Sequence, residues 1–298
     1  SSAASDVYKR QVYGTDCMYR NLGEVSNKGI EFGAQLALIQ NRDFKWYVGG
    51  TISTNKNEVK SLGGENSMIL SMSDGSAVIS EVGQPLYSFY GYQTDGVFAT
   101  DDAVVAAGKD GQALTNAIGV AFAAGDMRFV DQNGDGKIDK EDRVNLGNAL
   151  PDFYGTFYTN FQYKGLAVSA VFGYSKGNKM YNAVRRTMES MSDFSNQLTS
   201  VTRRWMYEGQ ITDIPRAVYG DPMENSRFSD RWIEDASYLK LKELMVSYKF
   251  NLFAGTTVFV AAENLFTATK YLGMDPETMY SYAVSYTHLR AHETGRNL

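Results

Sequence analysis

The sequence contains very little cysteine or histidine, and this scarcity excludes several kinds of functional site. Cys17 is the single cysteine among 298 residues, so the chain can form neither an internal disulfide bond nor a cysteine-rich zinc site. The only histidines, His288 and His292, lie close to the end of the chain. If that end is foreign, as argued below, histidine catalysis and histidine metal ligation are excluded for the rest, and Cys17 lacks a histidine partner for nucleophilic catalysis.

Long hydrophobic runs and excess positive charge are also missing. A membrane-spanning helix needs a run of about 18 or more apolar residues, and the sequence has none, which excludes a helical membrane protein but leaves a β-barrel open. The net charge of −5 and the isoelectric point near 5.2 disfavour a nucleic-acid-binding protein. The first residues lack the charged and then apolar pattern of a signal peptide.

The two ends of the chain differ in character from the sequence between them. Residues 1–11 read SSAASDVYKRQ, and residues 284–298 read VSYTHLRAHETGRNL. Both resemble translated sequencing adapter at the ends of open reading frames assembled from environmental DNA, although ordinary polar termini are the alternative. We therefore expect both ends to be non-native, and we assign residues 12–283 to the protein itself.

Apolar and polar residues alternate with a period of two over segments longer than most strands of soluble proteins. The even positions from Ile30 to Leu38 are apolar, and after a short turn at 41–43 the apolar positions resume from Phe44 to Ile52 in the same phase. A second hairpin is predicted around Lys164 and Gly165, and a third between Leu244 and Leu265. The pattern predicts an all-β fold of antiparallel hairpins.

Two further features favour a transmembrane β-barrel over a soluble β-sandwich. Aromatic residues gather beside the short turns, as an interfacial girdle requires: Phe44, Trp46, Phe161, Tyr163, Tyr248 and Phe250. The short turns alternate with connections at about 58–151 and 175–236, whose length is typical of the outer loops of barrels. Strand-like segments within them, such as Ser88 to Phe98, should form extracellular hairpins or an even number of crossings. A sandwich would instead bury its apolar faces against a second sheet.

Five stretches of the sequence occur in an order that resembles one family. They are Asn27 to Glu31 (NKGIE), Gly83 to Gly96 (GQPLYSFYGYQTDG), Asp131 to Asp142, Ser229 to Leu241 (SDRWIEDASYLKL) and Asn264 to Glu277 (NLFTATKYLGMDPE). Together they resemble the SusC/RagA-type TonB-dependent outer-membrane transporters over residues 21–277. The resemblance implies the C-terminal part of an antiparallel barrel of about 22 strands with long extracellular loops.

The resemblance also implies a function, which is nutrient import and not enzymatic catalysis. The whole protein would lie in the outer membrane of a Gram-negative bacterium, surrounded by lipid, and would take up an oligosaccharide or a peptide. Its partners would be a SusD-like surface lipoprotein and, through a missing N-terminal part, the TonB complex. The closing strand of the barrel would be absent, so we expect an unpaired edge at Thr257 to Leu265 and no functional pore from this chain alone.

One motif has the spacing of a calcium-binding EF-hand loop. Alternate oxygen-bearing residues separated by a glycine turn can converge on one hard cation. The proposed ligands are Asp131, Asn133, Asp135, the carbonyl of Lys137, Asp139 and Asp142, with Gly136 at the turn. They predict one Ca²⁺ site, with Mg²⁺ left open. Asp142 stands where glutamate is usual and no helices flank the loop, so a polar turn that hydrogen-bonds its own backbone is the alternative.

The remaining candidate residues do not define a site from sequence alone. Asp101 with Asp102, and Glu234 with Asp235, could be hydrolytic acid pairs, but solvation or strand-end hydrogen bonding is the plainer role, and no catalytic residue is assigned. Aromatic residues of the long connections either stack on a ligand or, as we rank first, form small cores: Tyr87, Phe89, Tyr90, Tyr92, Trp205, Tyr207 and Trp232. Three arginines contact either an acidic ligand or a nearby carboxylate: Arg203, Arg204 and Arg216. The alternative function is a secreted, calcium-braced β-domain that binds glycans or mediates adhesion.

Overall fold

The computed structural model describes residues 4–7, 18–21, 23–250 and 255–277. The strands are β1 (Ala4–Val7), β2 (Met18–Asn21), β3 (Gly23–Gln40), β4 (Phe44–Leu62), β5 (Ser67–Ser71), β6 (Ala77–Glu81), β7 (Ser88–Gly91), β8 (Thr94–Val97), β9 (Thr115–Asn116), β10 (Met127–Phe129), β11 (Lys137–Ile138), β12 (Val144–Gly147), β13 (Phe153–Tyr163), β14 (Leu166–Lys176), β15 (Lys179–Tyr181), β16 (Ile233–Asp235), β17 (Tyr238–Lys249) and β18 (Thr257–Thr269). The α-helices are α1 (Asp101–Ala107) and α2 (Ala183–Glu189), and short 3-10 helices span Lys140–Asp142, Thr199–Arg203 and Asp230–Trp232.

None of the helices in this part of the chain has the length and apolar composition needed to cross a bilayer. The predicted foreign tail, 284–298, lies outside the described residues. Of the predicted foreign start, 1–11, only Ala4–Val7 is described, and this strand pairs with β2.

The largest element is an antiparallel sheet of six strands in the order β18-β17-β14-β13-β4-β3. It contains the three predicted hairpins, with the first two turns at 41–43 and at Lys164–Gly165. The strands of the first hairpin, at 18 and 19 residues, are much longer than the alternating pattern predicted. Within the described residues β3 and β18 each pair along one edge only.

The apolar residues of these strands share one face of the sheet, which we call the outer face. The register pairs Leu36 with Val48 and Phe32 with Ile52, so the predicted phase of the first hairpin is confirmed. Ile30 is 75% exposed and Leu36 is 61% exposed, and no second sheet packs on this face in the described part of the chain. A sandwich would cover such a face, so the structure does not support that alternative.

The aromatic residues beside the short turns meet across neighbouring strands. In the register Tyr163 lies opposite Phe44 on one side and Leu166 on the other, and Leu166 lies opposite Tyr248. These four residues form one row across β4, β13, β14 and β17. The ring centroids of Phe44 and Phe161 are 4.9 Å apart. These contacts confirm that the aromatic side chains cluster at the same end of the sheet, where a girdle at the membrane surface would lie.

The two long connections leave the opposite end of the sheet and contain small sheets of their own. One sheet has four strands in the order β12-β7-β6-β5, and three further pairs are β10-β8, β11-β9 and β15-β16. The predicted strand from Ser88 to Phe98 is divided into β7 and β8, and neither joins the six-stranded sheet. These strands pair within the connection itself and add no crossing to the sheet, whereas their extracellular placement stays a prediction.

Residues 63–152 and 177–237 pack together, and we call them the loop unit. Backbone hydrogen bonds join them, from Tyr92 N–H to Phe228 O (3.2 Å) and from Arg216 N–H to Gly125 O (2.8 Å). Their shared core consists of Phe98, Val104, Leu114, Phe122, Met127, Phe129, Ile138 and Met223. The two connections therefore form one folded body beside the end of the sheet, and not two separate loops.

Candidate functional site

The predicted cation loop, residues 131–142, follows β10 and is wound by hydrogen bonds from its own backbone. The two carboxylate oxygens of Asp131 accept from Gly134 N–H and Gly136 N–H, both at 2.7 Å. Asn133 Oδ1 accepts from Asp135 N–H at 2.9 Å. The side-chain oxygens of Asp131 and Asn133 thus accept from backbone N–H groups in successive turns of the loop.

The second half of the loop is closed by Asp139 and Asp142. Asp142 is fully buried, and its carboxylate accepts from Gln132 N–H (2.9 Å) and Asp139 N–H (2.7 Å). Burial raises the pKa of Asp142; these two hydrogen bonds counteract the rise, while the charges of Asp131 and Asp139 add to it. A buried carboxylate beside two others is a place where positive charge would be stabilised.

The structure does not bring the predicted ligands into a finished cation site. In the described residues no three His, Cys, Asp or Glu side chains are grouped so that they could hold a metal ion as they stand. The loop oxygens accept backbone N–H groups instead, as the polar-turn alternative requires. The loop is preceded by β10 and contains β11 and a 3-10 helix, so the expected lack of flanking α-helices is confirmed. Metal binding stays a prediction.

The two C-terminal motifs of the resemblance are bound to each other by a cluster of charges. Lys240 Nζ donates to Asp275 Oδ2 and to Glu277 Oε2, both at 2.9 Å, and Lys242 Nζ donates to Glu277 Oε1 at 2.7 Å. Tyr238 O–H also donates to Glu277 (2.8 Å). Segment 270–277 is therefore fastened across β17, and we call these five residues the clamp.

The clamp should make stability depend on acidic pH. Burial raises the pKa of Glu277, but hydrogen bonds from Lys242, Lys240 and Tyr238 outweigh it and lower the pKa to about 2. A depressed folded-state pKa contributes stability above the unfolded value of 4.5, and this contribution is lost as the pH falls from there towards 2. We expect Glu277→Gln to reduce this acid-dependent loss of stability, measured as unfolding midpoints of the full-length protein between pH 7 and acid. If the unfolding midpoint of the variant fell with pH as steeply as that of the wild type, Glu277 would not be the source of this acid sensitivity.

The carboxylates of the predicted acid pair, Glu234 and Asp235, hold neighbouring segments in place through hydrogen bonds. Glu234 accepts from Arg185 Nη1 at 2.9 Å and from Leu272 N–H at 2.8 Å. Asp235 accepts from Ser237 N–H at 2.9 Å at the strand end. These are the strand-end hydrogen bonds that the sequence favoured, and they occupy the carboxylates that a hydrolytic role would need.

Arg185 continues this network to Glu189, a buried residue of α2. Glu189 also pairs with Arg231 at 3.0 Å and accepts from Ser200 Oγ at 2.6 Å. Burial raises the pKa of Glu189, but the hydrogen bonds from Ser200 and the two arginines outweigh it, so the pKa lies below its usual value. The other acid pair, Asp101 and Asp102, lies in the first turn of α1, where carboxylates favour the helix N-terminus.

Of the aromatic residues singled out from the sequence, some are buried in small cores and others are exposed, and one of the arginines binds a carboxylate. Trp232 is 1% exposed, and Tyr92 packs on the core at 5.9 Å from Phe129, so the small-core interpretation holds for them. Tyr87 and Tyr207 are more than half exposed and do not fit it. Arg216 forms two hydrogen bonds to Asp126, at 2.9 and 3.0 Å, so for this arginine the nearby carboxylate is the partner.

A polar cleft of about 600 Å³ lies among β7, β12, β15 and the residues before β16. Gln84, Gln93, Asn145 and Asp230 line it together with Lys179, and its lining residues include no aromatic side chain. Amide and carboxylate groups can hydrogen-bond a ligand that carries both donors and acceptors. Sequence reasoning missed this cleft because its walls come from segments more than a hundred residues apart in the chain.

Two known proteins with sequences similar to this chain are both TonB-dependent receptors. TonB-dependent receptor P3 of Formosa agariphila is 30% identical over 90% of this chain, and TonB-dependent receptor SusC of Bacteroides thetaiotaomicron is 26% identical over 87%. The chain spans 26% and 25% of the length of these two relatives. No family model matches.

Solved structures give the same result for the fold. The RagAB peptide transporter matches with a TM-score of 0.70 and 26% identity, covering 91% of this chain and 29% of that one. The RagAB peptide importer in its closed-closed state matches with a TM-score of 0.69 and 26% identity, over 93% of this chain and 29% of that one.

Proposed function

Because this chain is a stretch of the β-barrel of a SusC/RagA-type TonB-dependent receptor, we propose that the whole protein imports an oligosaccharide or a peptide across the outer membrane of a Gram-negative bacterium. The six-stranded sheet forms barrel wall, and its outer face contacts lipid. The loop unit lies on the extracellular side, beneath a SusD-like lipoprotein. Energy for import comes from the TonB complex through parts of the protein outside this chain.

The observation that carries the proposal is the uncovered apolar face of the sheet. Ile30, Leu36 and Val246 lie exposed on it, which is unfavourable in water and favourable in contact with acyl chains. On the opposite, inner face Asn57 accepts from Leu86 N–H at 2.8 Å, so the loop unit contacts the side that would line the barrel. The polar cleft, with its amides and carboxylates, supports a peptide or a sugar as the transported ligand.

A charge placed on the outer face should destabilise the protein far more than the same charge on the inner face. We expect Leu36→Arg to cost about 2–4 kcal/mol in the full-length receptor, because an arginine in the hydrocarbon region is poorly solvated. The neighbouring Gln35 lies on the inner face, so Gln35→Arg is a matched control with little expected effect. The measurement is the denaturant midpoint of the folded receptor in phosphatidylcholine vesicles.

Equal costs for the two arginines would show that lipid does not cover the outer face, and the importer proposal would fail. A photo-crosslinker at Leu36 or Val246 gives an independent readout. Attachment to acyl chains supports the barrel wall, and attachment to another protein segment contradicts it.

We also propose that loop 131–142 binds one Ca²⁺, with Asp131, Asn133, Asp135, Lys137 O, Asp139 and Asp142 as ligands. The support is the order of these residues in the chain and the placement of Asp131, Asn133 and Asp135 on consecutive turns of the loop. Such a site, with a dissociation constant of roughly 10⁻⁴ to 10⁻³ M, can fill outside a cell. Its role would be to brace the loop unit.

Removal of Ca²⁺ is expected to speed proteolysis of loop 131–142 in the wild-type receptor. The double variant Asp131→Ala, Asp135→Ala should be cleaved rapidly with or without chelator, because its site has lost two ligands. Asp95→Ala, an exposed carboxylate elsewhere in the loop unit, serves as control and should respond to chelator like the wild type. Absence of Ca²⁺ uptake by calorimetry would exclude the site.

A further inference from the structure

The apolar band of the outer face ends, on the loop-unit side, at two lysines. Lys28 of β3 lies directly opposite Lys56 of β4. The next pair along the two strands is Gly29 with Asn55, and the pair after that is Ile30 with Thr54. No register shift separates these pairs, so Lys28 and Lys56 lie on the same face as Ile30. Both lysines are exposed. They therefore stand at the level where the hydrocarbon contact of the sheet ends.

Directly opposed like charges are unfavourable, because cross-strand Cβ atoms lie only about 4.5–5.5 Å apart. The nearest acid on this face is Glu58, which pairs with Lys60 and also interacts electrostatically, without an ion pair, with Lys56 and Lys28. Among the described residues neither Lys28 nor Lys56 forms an ion pair within 4.0 Å.

We propose that Lys28 and Lys56 bind the negatively charged phosphate of an anionic lipid headgroup in the leaflet next to the loop unit. The pair lies where a headgroup would lie if the residues from Ile30 onward contact acyl chains. A phosphate placed between the two ammonium groups offsets their mutual repulsion. The inference rests on the proposed placement of the sheet in the outer membrane.

The test uses the full-length receptor in nanodiscs of phosphatidylcholine with phosphatidylglycerol as the minor lipid. After transfer to detergent, native mass spectrometry measures which lipid the protein retains. We expect the wild type to retain phosphatidylglycerol, and the variant Lys28→Ser, Lys56→Ser to bind it about thirtyfold more weakly, since each lysine at a membrane surface contributes about a factor of five. Lys28→Arg, Lys56→Arg keeps both charges and should retain the lipid.

The matched control is Lys109→Ser, Lys140→Ser, which removes the same charge from exposed positions of the loop unit. It should leave retention of phosphatidylglycerol unchanged. Wild-type retention by the Lys28→Ser, Lys56→Ser variant would overturn the proposal, and so would displacement of the lipid by inorganic phosphate, which would indicate a free-anion site. A receptor that never enters nanodiscs would instead show that the barrel proposal itself is wrong.

Discussion

Replacing Asp126 with alanine is expected to destabilise the loop unit by about 2–4 kcal/mol, because it removes the charge-assisted hydrogen bonds of Arg216 and leaves the buried amide of Asn225 without this acceptor. Asp126 is fully buried, and it receives two hydrogen bonds from Arg216 and one from Asn225 at 3.1 Å. Asp126 belongs to the first connection, whereas Arg216 and Asn225 belong to the second. The substitution therefore removes a buried polar link between the two halves of the loop unit.

The matched control for this substitution is Asp95→Ala in the same unit. Asp95 pairs with Arg128 at 3.3 Å, but both side chains are largely exposed, so its loss should cost at most about 1 kcal/mol. The readout is the temperature at which protease first cleaves the loop unit of the full-length receptor. Similar shifts for Asp126→Ala and Asp95→Ala would mean that the buried link does not hold the two connections together.

This link has a consequence for how the proposed importer works. Gly209 N–H donates to Ala99 O at 2.8 Å, and Arg186 Nη1 donates to Asp74 O at 2.9 Å, so the two connections are also joined at other points. A ligand or lipoprotein that contacts either connection would therefore act on both. We infer that the loop unit responds to a partner as one body, and that Asp126→Ala would weaken this coupling.

The sequence was sufficient to predict the barrel wall because its signals are local. A period of two and a tight turn define each hairpin, and the register then follows from the apolar face, as the pairing of Leu36 with Val48 shows. One irregularity escaped the pattern. A register shift between Leu241 and Glu243 faces Asn264, whose backbone has a φ of 52°, a conformation that asparagine adopts more readily than most residues. The asparagine, placed within a sequence that otherwise predicts a strand, was the feature that could have indicated this irregularity.

The loop unit could not be predicted because its stability comes from contacts between residues far apart in the chain. Arg216 and Asp126 are 90 residues apart, and no periodic pattern indicates which carboxylate an arginine will meet. The sequence therefore left the partner of Arg216 open. In contrast, the clamp acids Asp275 and Glu277 lie inside a matched motif, so their importance could be expected although their lysine partners could not.

Trp232→Ala is expected to destabilise the loop unit by about 3–5 kcal/mol, since it opens a large cavity beside α2. Trp232 is 1% exposed, and the guanidinium carbons of Arg185 and Arg231 lie 5.5 and 4.7 Å from its ring. Its backbone carbonyl accepts from Asn182 N–H at 2.8 Å, beside the start of α2. The indole therefore supports the arginines that bind Glu189 and Glu234.

The conservative variant Trp232→Phe separates the two contributions of this side chain. Phenylalanine keeps an aromatic face for Arg185 and Arg231 but loses the hydrogen bond from Nε1–H to Arg227 O, which measures 3.1 Å. We expect a smaller loss of about 0.5–1.5 kcal/mol plus a packing cost, measured by the same protease assay. If Trp232→Ala and Trp232→Phe were equally mild, the ring would not organise the arginines. If Trp232→Ala exposed α2 to protease and Trp232→Phe did not, the buried charge network would depend on an aromatic ring at this position.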